Sequence, residues 1–284
     1  MGALTAMAMD AATPCPVCAG PMTPVASWVA RCRGCGFWRS SLAGGAGDDI
    51  AGIEALRRDN FQALLDRLER LAPPARASML EVGCGRGWFL DAAAARGYRC
   101  SAVEPVVALA AEAAARGHVV HAGFFPAALP ADAQYSVIVF NDVFEHLPDP
   151  ARAVAVCRER LTAGGLLVIN LPSSRGILFG IARALAALGV PQPFERLWQK
   201  GLPSPHLSYF SPATLQALVG RAGFVPAAQF PLASLRVKGL WARLRSTQGV
   251  AASALMAPAL AALALVAAFL PQDIHVGVFR KPGA

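Results

Sequence analysis

An apolar strand that ends in an acid and runs into three alternating glycines constrains this chain more than any other segment. It reads LEVGCGRG over residues 80–87, and the alanine-rich stretch from Trp88 to Arg96 predicts a helix directly after it. Glycines at every second position allow a sharp turn and let a ligand lie on main-chain N–H groups. The order of strand, glycine turn and helix predicts one unit of a parallel α/β sheet with a ligand site at the turn.

The chain beyond this loop alternates strand and helix in the same way. The run YSVIVF at 135–140 is continuously apolar, as expected for a parallel strand buried on both faces. Because the carboxyl ends of parallel strands meet at one edge of a sheet, we expect residues 83–87, Glu104 and Asn141 to converge there. Strands are predicted near 78–82, 99–103, 118–121, 135–140 and 166–171, with a final strand at 273–280.

Four cysteines near the N-terminus form two C-x-x-C pairs, Cys15 with Cys18 and Cys32 with Cys35. Each pair can place two thiolates on one tight turn, and the residues between the pairs suit a short hairpin, so a tetrahedral Zn²⁺ site is predicted. Two disulfides are the alternative, which a reducing compartment disfavours. A closed site of this kind would stabilise a segment that is too small to fold alone.

Three motifs, taken in order along the chain, resemble one enzyme family. The loop at 80–87 resembles motif I of the class I S-adenosylmethionine (SAM) methyltransferases, (D/E)-x-G-x-G-x-G, and differs from the dinucleotide fingerprint G-x-G-x-x-G. The string NDVFEHLPDP at 141–150 resembles the signature after strand four in the branch that includes the ubiquinone-biosynthesis type. HLSYFSP at 206–212 precedes a helix, again as in that branch. The resemblance covers about residues 78–282. The implied fold class is α/β, a doubly wound, mainly parallel, seven-stranded Rossmann-like sheet with a small N-terminal zinc ribbon.

The resemblance implies SAM as cofactor, bound at the carboxyl edge of the sheet. Glu104, at the end of the second strand, would accept hydrogen bonds from the ribose hydroxyls. The acid that usually contacts the adenine amino group after strand three is absent, because residues 123–125 read GFF. An aromatic ring there could stack on the base instead. The predicted SAM-binding residues are Glu81, Gly83, Gly85, Gly87, Glu104 and Asn141.

Methyl transfer from a sulfonium requires an in-line approach and, for an oxygen or nitrogen nucleophile, a way to remove a proton. His146 follows the fourth strand and is the first candidate for a base or a substrate-orienting group. The alternative is that its imidazole holds the loop backbone. His206 and Tyr209 are the second candidates, because the chain returns over the pocket there, although a structural role in closing the lid is equally compatible with the sequence.

The predicted organisation has three parts: a zinc ribbon over 1–45, a flexible glycine linker and an amphipathic helix over 46–75, and a SAM-dependent methyltransferase domain over 76–284. Residues 176–205 are predicted to form a substrate lid. An apolar insertion over 239–270 is expected to form two short helices broken near Pro258. They would pack on the lid or lie on an anionic membrane surface rather than span a bilayer, because the final strand returns to the sheet.

The charge balance leaves several partner classes open. The net charge is +8, and 55% of the residues are hydrophobic against 15% charged. A basic protein of this kind could also be a zinc-ribbon ribosomal RNA methyltransferase, but such enzymes commonly carry Asn/Asp-Pro-Pro-aromatic after strand four, where this chain has NDVF. A non-catalytic SAM-fold adaptor is a further alternative. The expected methyl acceptor is a small molecule or a lipid-like molecule. Residues 1–13 lack the basic start and long apolar core of a signal peptide, which predicts a cytoplasmic protein with or without peripheral membrane contact.

Overall fold

The computed structural model describes residues 14–47, 54–75, 77–234 and 271–283. The whole of the apolar insertion predicted at 239–270 therefore lies outside the described residues. Within them, no helix is both long enough and apolar enough to cross a bilayer. The strands are β1 Met22–Ala26, β2 Val29–Cys32, β3 Trp38–Ser40, β4 Ser78–Val82, β5 Arg99–Glu104, β6 Val119–Ala122, β7 Tyr135–Asn141, β8 Leu161–Pro172, β9 Ser208–Tyr209, β10 Val225–Leu232 and β11 Ile274–Arg280. The helices are α1 Glu54–Leu68, α2 Trp88–Ala95, α3 Val107–Ala115, α4 Pro150–Arg160, α5 Ile177–Ala187, α6 Gln192–Leu197 and α7 Pro212–Arg221, with a 3₁₀ turn at Phe144–His146.

The larger sheet has seven strands in the order β10-β11-β8-β7-β4-β5-β6. The five strands from β8 to β6 are mutually parallel, which confirms the doubly wound arrangement. β11 is antiparallel to both of its neighbours, so the predicted final strand does return to the sheet. Strand order reverses between β4 and β7, which is where open α/β sheets bind their ligands.

The core lies on both faces of this sheet, as its long apolar strands require. Consecutive residues of β7, such as Val137 and Ile138, are fully buried on opposite faces. One face is covered by α1 and α2, where Phe61 packs edge-on against Phe89 at 5.3 Å between ring centroids. The other face is covered by α4, α7 and the cysteine-bearing segment, whose Phe37 is fully buried. The cysteine segment therefore packs into the same hydrophobic core as the sheet and does not form a separate domain.

A second, four-stranded antiparallel sheet joins the N-terminal ribbon to the C-terminal half of the chain. Its order is β1-β2-β3-β9, and β9 lies directly after the predicted lid. Trp38 is paired with Tyr209 and Arg39 with Ser208. Ser40 extends the contact, because its N–H donates to the Leu207 carbonyl at 2.9 Å and its hydroxyl donates to the His206 carbonyl at 2.9 Å. The ribbon is thus hydrogen-bonded to the segment that carries two of the predicted site residues.

Candidate active site

The glycine loop follows β4 and has the backbone that its sequence predicts. Gly83, Gly85 and Gly87 all have positive φ, of 74°, 52° and 80°, in the region that glycine adopts far more readily than other residues. A Cβ on Gly83 would lie 2.6 Å from a methyl carbon of Val143, so a side chain is excluded there by contact as well as by conformation. The loop therefore exposes backbone to the space above the strand ends, where α2 begins.

Glu104 is the last residue of β5, and its side chain is hydrogen-bonded to this loop. It is buried, and its two carboxylate oxygens accept hydrogen bonds from the Gly85 N–H and the Val106 N–H, each at 2.8 Å. Because a carboxylate can accept more than two hydrogen bonds, these backbone donors do not exhaust its capacity for a ligand's hydroxyl groups. Glu104 thus fixes the shape of the glycine loop and lines the cavity beside it.

A second buried acid lies beneath the loop. Glu81 Oε1 accepts a hydrogen bond from the Asn141 side-chain amide at 3.0 Å. Burial raises the pKa of Glu81 to about 8, and the Glu104 carboxylate adds to the shift, while the Asn141 amide opposes it. Within the described residues, Glu81 Oε2 and Asn141 Oδ1 have no hydrogen-bond partner. Two unsatisfied buried oxygens at the edge of a cavity suit a ligand with a positive end.

These groups border one cavity of about 520 Å³, within the usual range for a small-molecule site. Phe124 and Phe125 follow β6 at its rim, in place of the missing acid. Phe125 packs edge-on against Phe140, whereas Phe124 is 63% exposed, so Phe124 is the ring with a face available to a base. The cavity lining also includes Arg57, Phe61, Trp88, Pro105, Val143, His146, Leu147, Gln199 and Ser204.

The segment Gly44–Gly47 forms part of the cavity wall. A Cβ on Gly45 would lie 2.4 Å from the Pro203 carbonyl oxygen, and one on Gly47 would lie 2.9 Å from Pro203 Cβ. The Ser204 hydroxyl donates to the Gly45 carbonyl at 3.2 Å. The sequence predicts a flexible linker here, but the glycines allow a close approach of two backbones instead. Sequence reasoning missed this wall because a packed glycine strap and a loose linker have the same composition.

The three predicted catalytic residues lie close together, but only one borders the cavity. His146 lines it, and its Nδ1 lies 2.9 Å from the Pro205 carbonyl. His206 is buried behind it, with ring centroids 4.7 Å apart. Tyr209 is fully enclosed, and its hydroxyl donates to the Leu197 carbonyl at 2.9 Å. A role for Tyr209 in contact with substrate therefore stays a prediction that this arrangement does not favour.

Burial determines the protonation states of His146, His206 and the neighbouring Glu145. It lowers the pKa of His146, with the positive charge of Arg57 adding to the effect, and it lowers the pKa of His206 well below the usual value, with His146 adding. Burial likewise raises the pKa of Glu145 well above its usual range, and the Asp142 carboxylate adds to that shift. Both imidazoles are therefore neutral near pH 7, the state in which histidine can accept a proton.

The four ribbon cysteines converge as the spacing predicts. The Sγ atoms of Cys15 and Cys35 lie 3.6 Å apart, and those of Cys18 and Cys32 lie 3.4 Å apart. All four are free thiols, since a disulfide would need a separation near 2.05 Å. All four sulfurs lie within 4.8 Å of one another, which suits a tetrahedral thiolate site for one ion.

The sequence of this chain is similar to those of known methyltransferases. The family described as "Methyltransferase domain" matches residues 56–229, more than half of the chain. A "Probable S-adenosylmethionine-dependent methyltransferase" from Mycobacterium tuberculosis is 38% identical over 109 residues, which are 37% of this chain and 39% of that protein. A "Ubiquinone biosynthesis O-methyltransferase" from Xylella fastidiosa is 29% identical over 170 residues, which are 56% of this chain and 65% of that protein. The chain thus spans less than two thirds of the length of these curated relatives.

Two solved structures show the same fold. The magnesium protoporphyrin IX methyltransferase of Synechocystis PCC 6803, solved with bound SAH, superposes with a TM-score of 0.55 at 11% identity, covering 84% of this chain and 90% of that one. The cyclopropane synthase MmaA2 of Mycobacterium tuberculosis superposes with a TM-score of 0.54 at 14% identity, covering 85% and 90%. At these identities the likeness concerns the fold alone.

Proposed function

This chain belongs to the SAM-dependent methyltransferase family, and from that membership we propose that it transfers a methyl group from SAM to a hydroxyl of a small-molecule or lipid-like acceptor. The observation that carries the proposal is the convergence of the glycine loop, Glu104 and the Glu81–Asn141 pair on one cavity. An oxygen acceptor is favoured by the similarity to ubiquinone-biosynthesis O-methyltransferases. The reaction breaks the sulfonium S–CH₃ bond, forms an O–CH₃ bond and releases the hydroxyl proton.

The SAM-binding roles are assigned as follows. Gly83, Gly85 and Gly87 present backbone to the ligand, and Glu104 accepts from the ribose hydroxyls. Glu81, held by Asn141, faces the positive end of the ligand, whose charge would offset the burial of this carboxylate. SAM supplies an electrophilic methyl group, and the chain's own task is to hold donor and acceptor in line while excluding water.

We assign the acceptor side of the cavity to the lining residues that lie outside the glycine loop and the ends of β4 and β5. His146, Gln199, Ser204 and the Gly44–Gly47 strap line it. His146 is proposed as the group that orients the acceptor or takes its proton, because it is neutral and reaches the cavity. His206, whose ring packs against that of His146, is proposed to hold His146 in position. Arg57 and Asp142 also line the cavity, and the Arg57 Nε lies 3.7 Å from an Asp142 carboxylate oxygen, which adds a charged pair to the lining.

We also propose one structural Zn²⁺ in the ribbon, held by Cys15, Cys18, Cys32 and Cys35. The closed set of four thiols leaves no position for a substrate, which supports a folding role. The proposed partners are the acceptor molecule and, at the apolar insertion, an anionic membrane surface. That surface contact depends on residues outside the described part of the chain, and it remains a prediction.

The test is incubation of the full chain with methyl-labelled SAM and separate extracts of metabolites, lipids and ribosomal RNA, followed by mass identification of the labelled product. A labelled small molecule or lipid supports the proposal, and a Glu104→Gln variant should lose the labelling. Labelled ribosomal RNA would point to the RNA alternative. Binding of SAM by calorimetry without any labelled product in extracts would favour the adaptor.

A further inference from the structure

Gln199 is a polar side chain of the lid with one hydrogen-bonding group that no other described residue uses. It follows α6 and lines the cavity. Its amide nitrogen lies 3.0 Å from His206 Nε2, whereas its amide oxygen makes no hydrogen bond to another described residue. Ser204 also lines the cavity, but its hydroxyl already donates to the Gly45 carbonyl. Gln199 is therefore the lid residue to consider for contact with the acceptor.

The orientation of the Gln199 amide follows from its neighbours. The Tyr209 hydroxyl lies 2.9 Å from the Leu197 carbonyl oxygen, which can only accept, so its single proton points there. The hydroxyl can then only accept from His206 Nδ1, at 3.2 Å, which places the proton of the neutral ring on Nδ1. His206 Nε2 is consequently an acceptor, and the Gln199 group beside it must be the NH₂ donor. The amide oxygen is the group left to meet a ligand in the cavity.

The backbone at Gln199 fixes this arrangement in a strained conformation. Its φ is +53°, in the left-handed region that residues other than glycine rarely adopt. The Gln199 N–H donates to the Arg196 carbonyl, and the Gln199 carbonyl accepts from the Leu202 N–H, each at 3.0 Å. The preceding Trp198 is fully buried among the aromatic rings of the ribbon and the lid. Strained residues persist where the surrounding structure holds them in this way, and they are concentrated at functional sites.

A fixed hydrogen-bond acceptor on a cavity wall favours ligands that carry a matching donor. We propose that the Gln199 amide oxygen accepts a hydrogen bond from a second hydroxyl or amine group of the methyl acceptor and so determines which acceptors bind. This assignment rests on the proposed methyl transfer and deepens it.

The second donor lies close to the hydroxyl that is methylated. Gln199 and His146 both contact the His206 ring, the first through its amide nitrogen and the second with ring centroids 4.7 Å apart. An acceptor oriented by His146 therefore has Gln199 within reach of a neighbouring group. An analogue without that group would leave the amide oxygen unpaired in the closed site, which costs binding.

Gln199→Ala and Gln199→Gly separate the role of the amide from that of the backbone. Both variants lack the amide, but only glycine adopts a φ of +53° without strain. Gln199→Gly should therefore melt about 2–4 °C above Gln199→Ala. Gln192→Ala is the control on the same lid, because Gln192 is exposed at the start of α6.

The kinetic assay uses methyl-labelled SAM and dilutions of the metabolite or lipid fraction that the wild type labels. Both Gln199 variants should raise the apparent KM by the same factor, roughly 3–10-fold, because one neutral hydrogen bond is lost. Their kcat should stay unchanged, since the bond is made equally in the ground state and the transition state. The control should change neither constant, and calorimetry should give one SAM affinity for all four proteins.

The labelled products provide a second test. Each product of the wild type should retain a further hydroxyl or amine, which treatment with acetic anhydride and mass measurement would count. A product without such a group would overturn the assignment, and so would a KM that is unchanged in the Gln199 variants or that follows their melting temperatures. If the wild type labels nothing, the proposed function fails and this assignment fails with it. If the wild type labels a product while the variants match it, only the role of Gln199 is refuted.

Discussion

The Gly83→Ala substitution tests whether position 83 excludes a side chain because of Val143 as well as because of its backbone conformation. A side chain at a φ of +74° costs about 1–2 kcal/mol. The new methyl would also lie 2.6 Å from a Val143 methyl, and overpacking of this kind costs about 1–3 kcal/mol more. The free energy of unfolding should therefore fall by about 2–5 kcal/mol, and SAM affinity should fall with it because the loop must move.

The matched control is Gly117→Ala. Gly117 has a φ of +92°, but a Cβ there would meet nothing within 4 Å, so only the conformational cost applies. Urea denaturation and calorimetry with SAM should show a loss of about 1–2 kcal/mol for this variant, with unchanged SAM affinity. Val143→Ala should restore part of the loss at Gly83→Ala in a double-mutant cycle. Equal losses for the two alanine variants, or no rescue, would show that the contact plays no part.

Three further outcomes are expected. Glu104→Ala should weaken SAM binding by about 2–4 kcal/mol in calorimetry, because it removes charge-assisted hydrogen bonds. Glu159→Ala, on the exposed side of α4, is the control and should leave SAM binding unchanged. If both variants bind SAM as the wild type does, Glu104 does not belong to the SAM site. Cys32→Ser should remove about one equivalent of zinc in metal analysis and reduce thermal stability, and a metal-free but fully stable wild type would contradict the ribbon assignment. Burial raises the folded-state pKa of Glu81 from 4.5 to about 8. Its contribution to stability is therefore fully present below about pH 4.5 and is lost as the pH rises through 8. The free energy of unfolding of the SAM-free chain should decline between about pH 5 and 8, and Glu81→Gln should abolish this decline.

The sequence was sufficient where local pattern and tertiary structure agree. The apolar run at 135–140 became the central strand β7, and the glycine loop took the conformation that its spacing predicts. Apolar residues that recur every second position predict strands, and those that recur every third or fourth position predict helices. The alternation of strands and helices along the chain could therefore be predicted, and with it a mainly parallel sheet. A final strand was also predicted, at 273–280, and it is observed at Ile274–Arg280, but its antiparallel direction was not predicted.

The contacts that the sequence did not reveal join residues far apart in the chain. Nothing local in Trp38–Ser40 indicates pairing with Ser208–Tyr209, and nothing in Gly44–Gly47 indicates packing against Pro203. The partners of His146 and His206, the Pro205 carbonyl and the Tyr209 hydroxyl, are likewise brought near only by the fold. Tyr209 was placed at the cavity by its neighbours in sequence, whereas its hydroxyl is bonded to the Leu197 carbonyl in the interior.

The strand pairing between β3 and β9 sets the order in which this protein can be assembled during synthesis. Trp38 and Tyr209 are 171 positions apart (209 minus 38), and at about 5–20 residues per second the ribosome needs roughly 10–35 s to make the intervening chain. During that interval strands β1 to β3 can pair with one another, but the open edge of β3 and the apolar rings of Trp28 and Trp38 lack the residues that finally cover them. An unpaired strand edge is a template for association with other chains. Chaperones that bind nascent chains should therefore affect the yield of this protein most in the interval after β3 has left the ribosome and before β9 has been made.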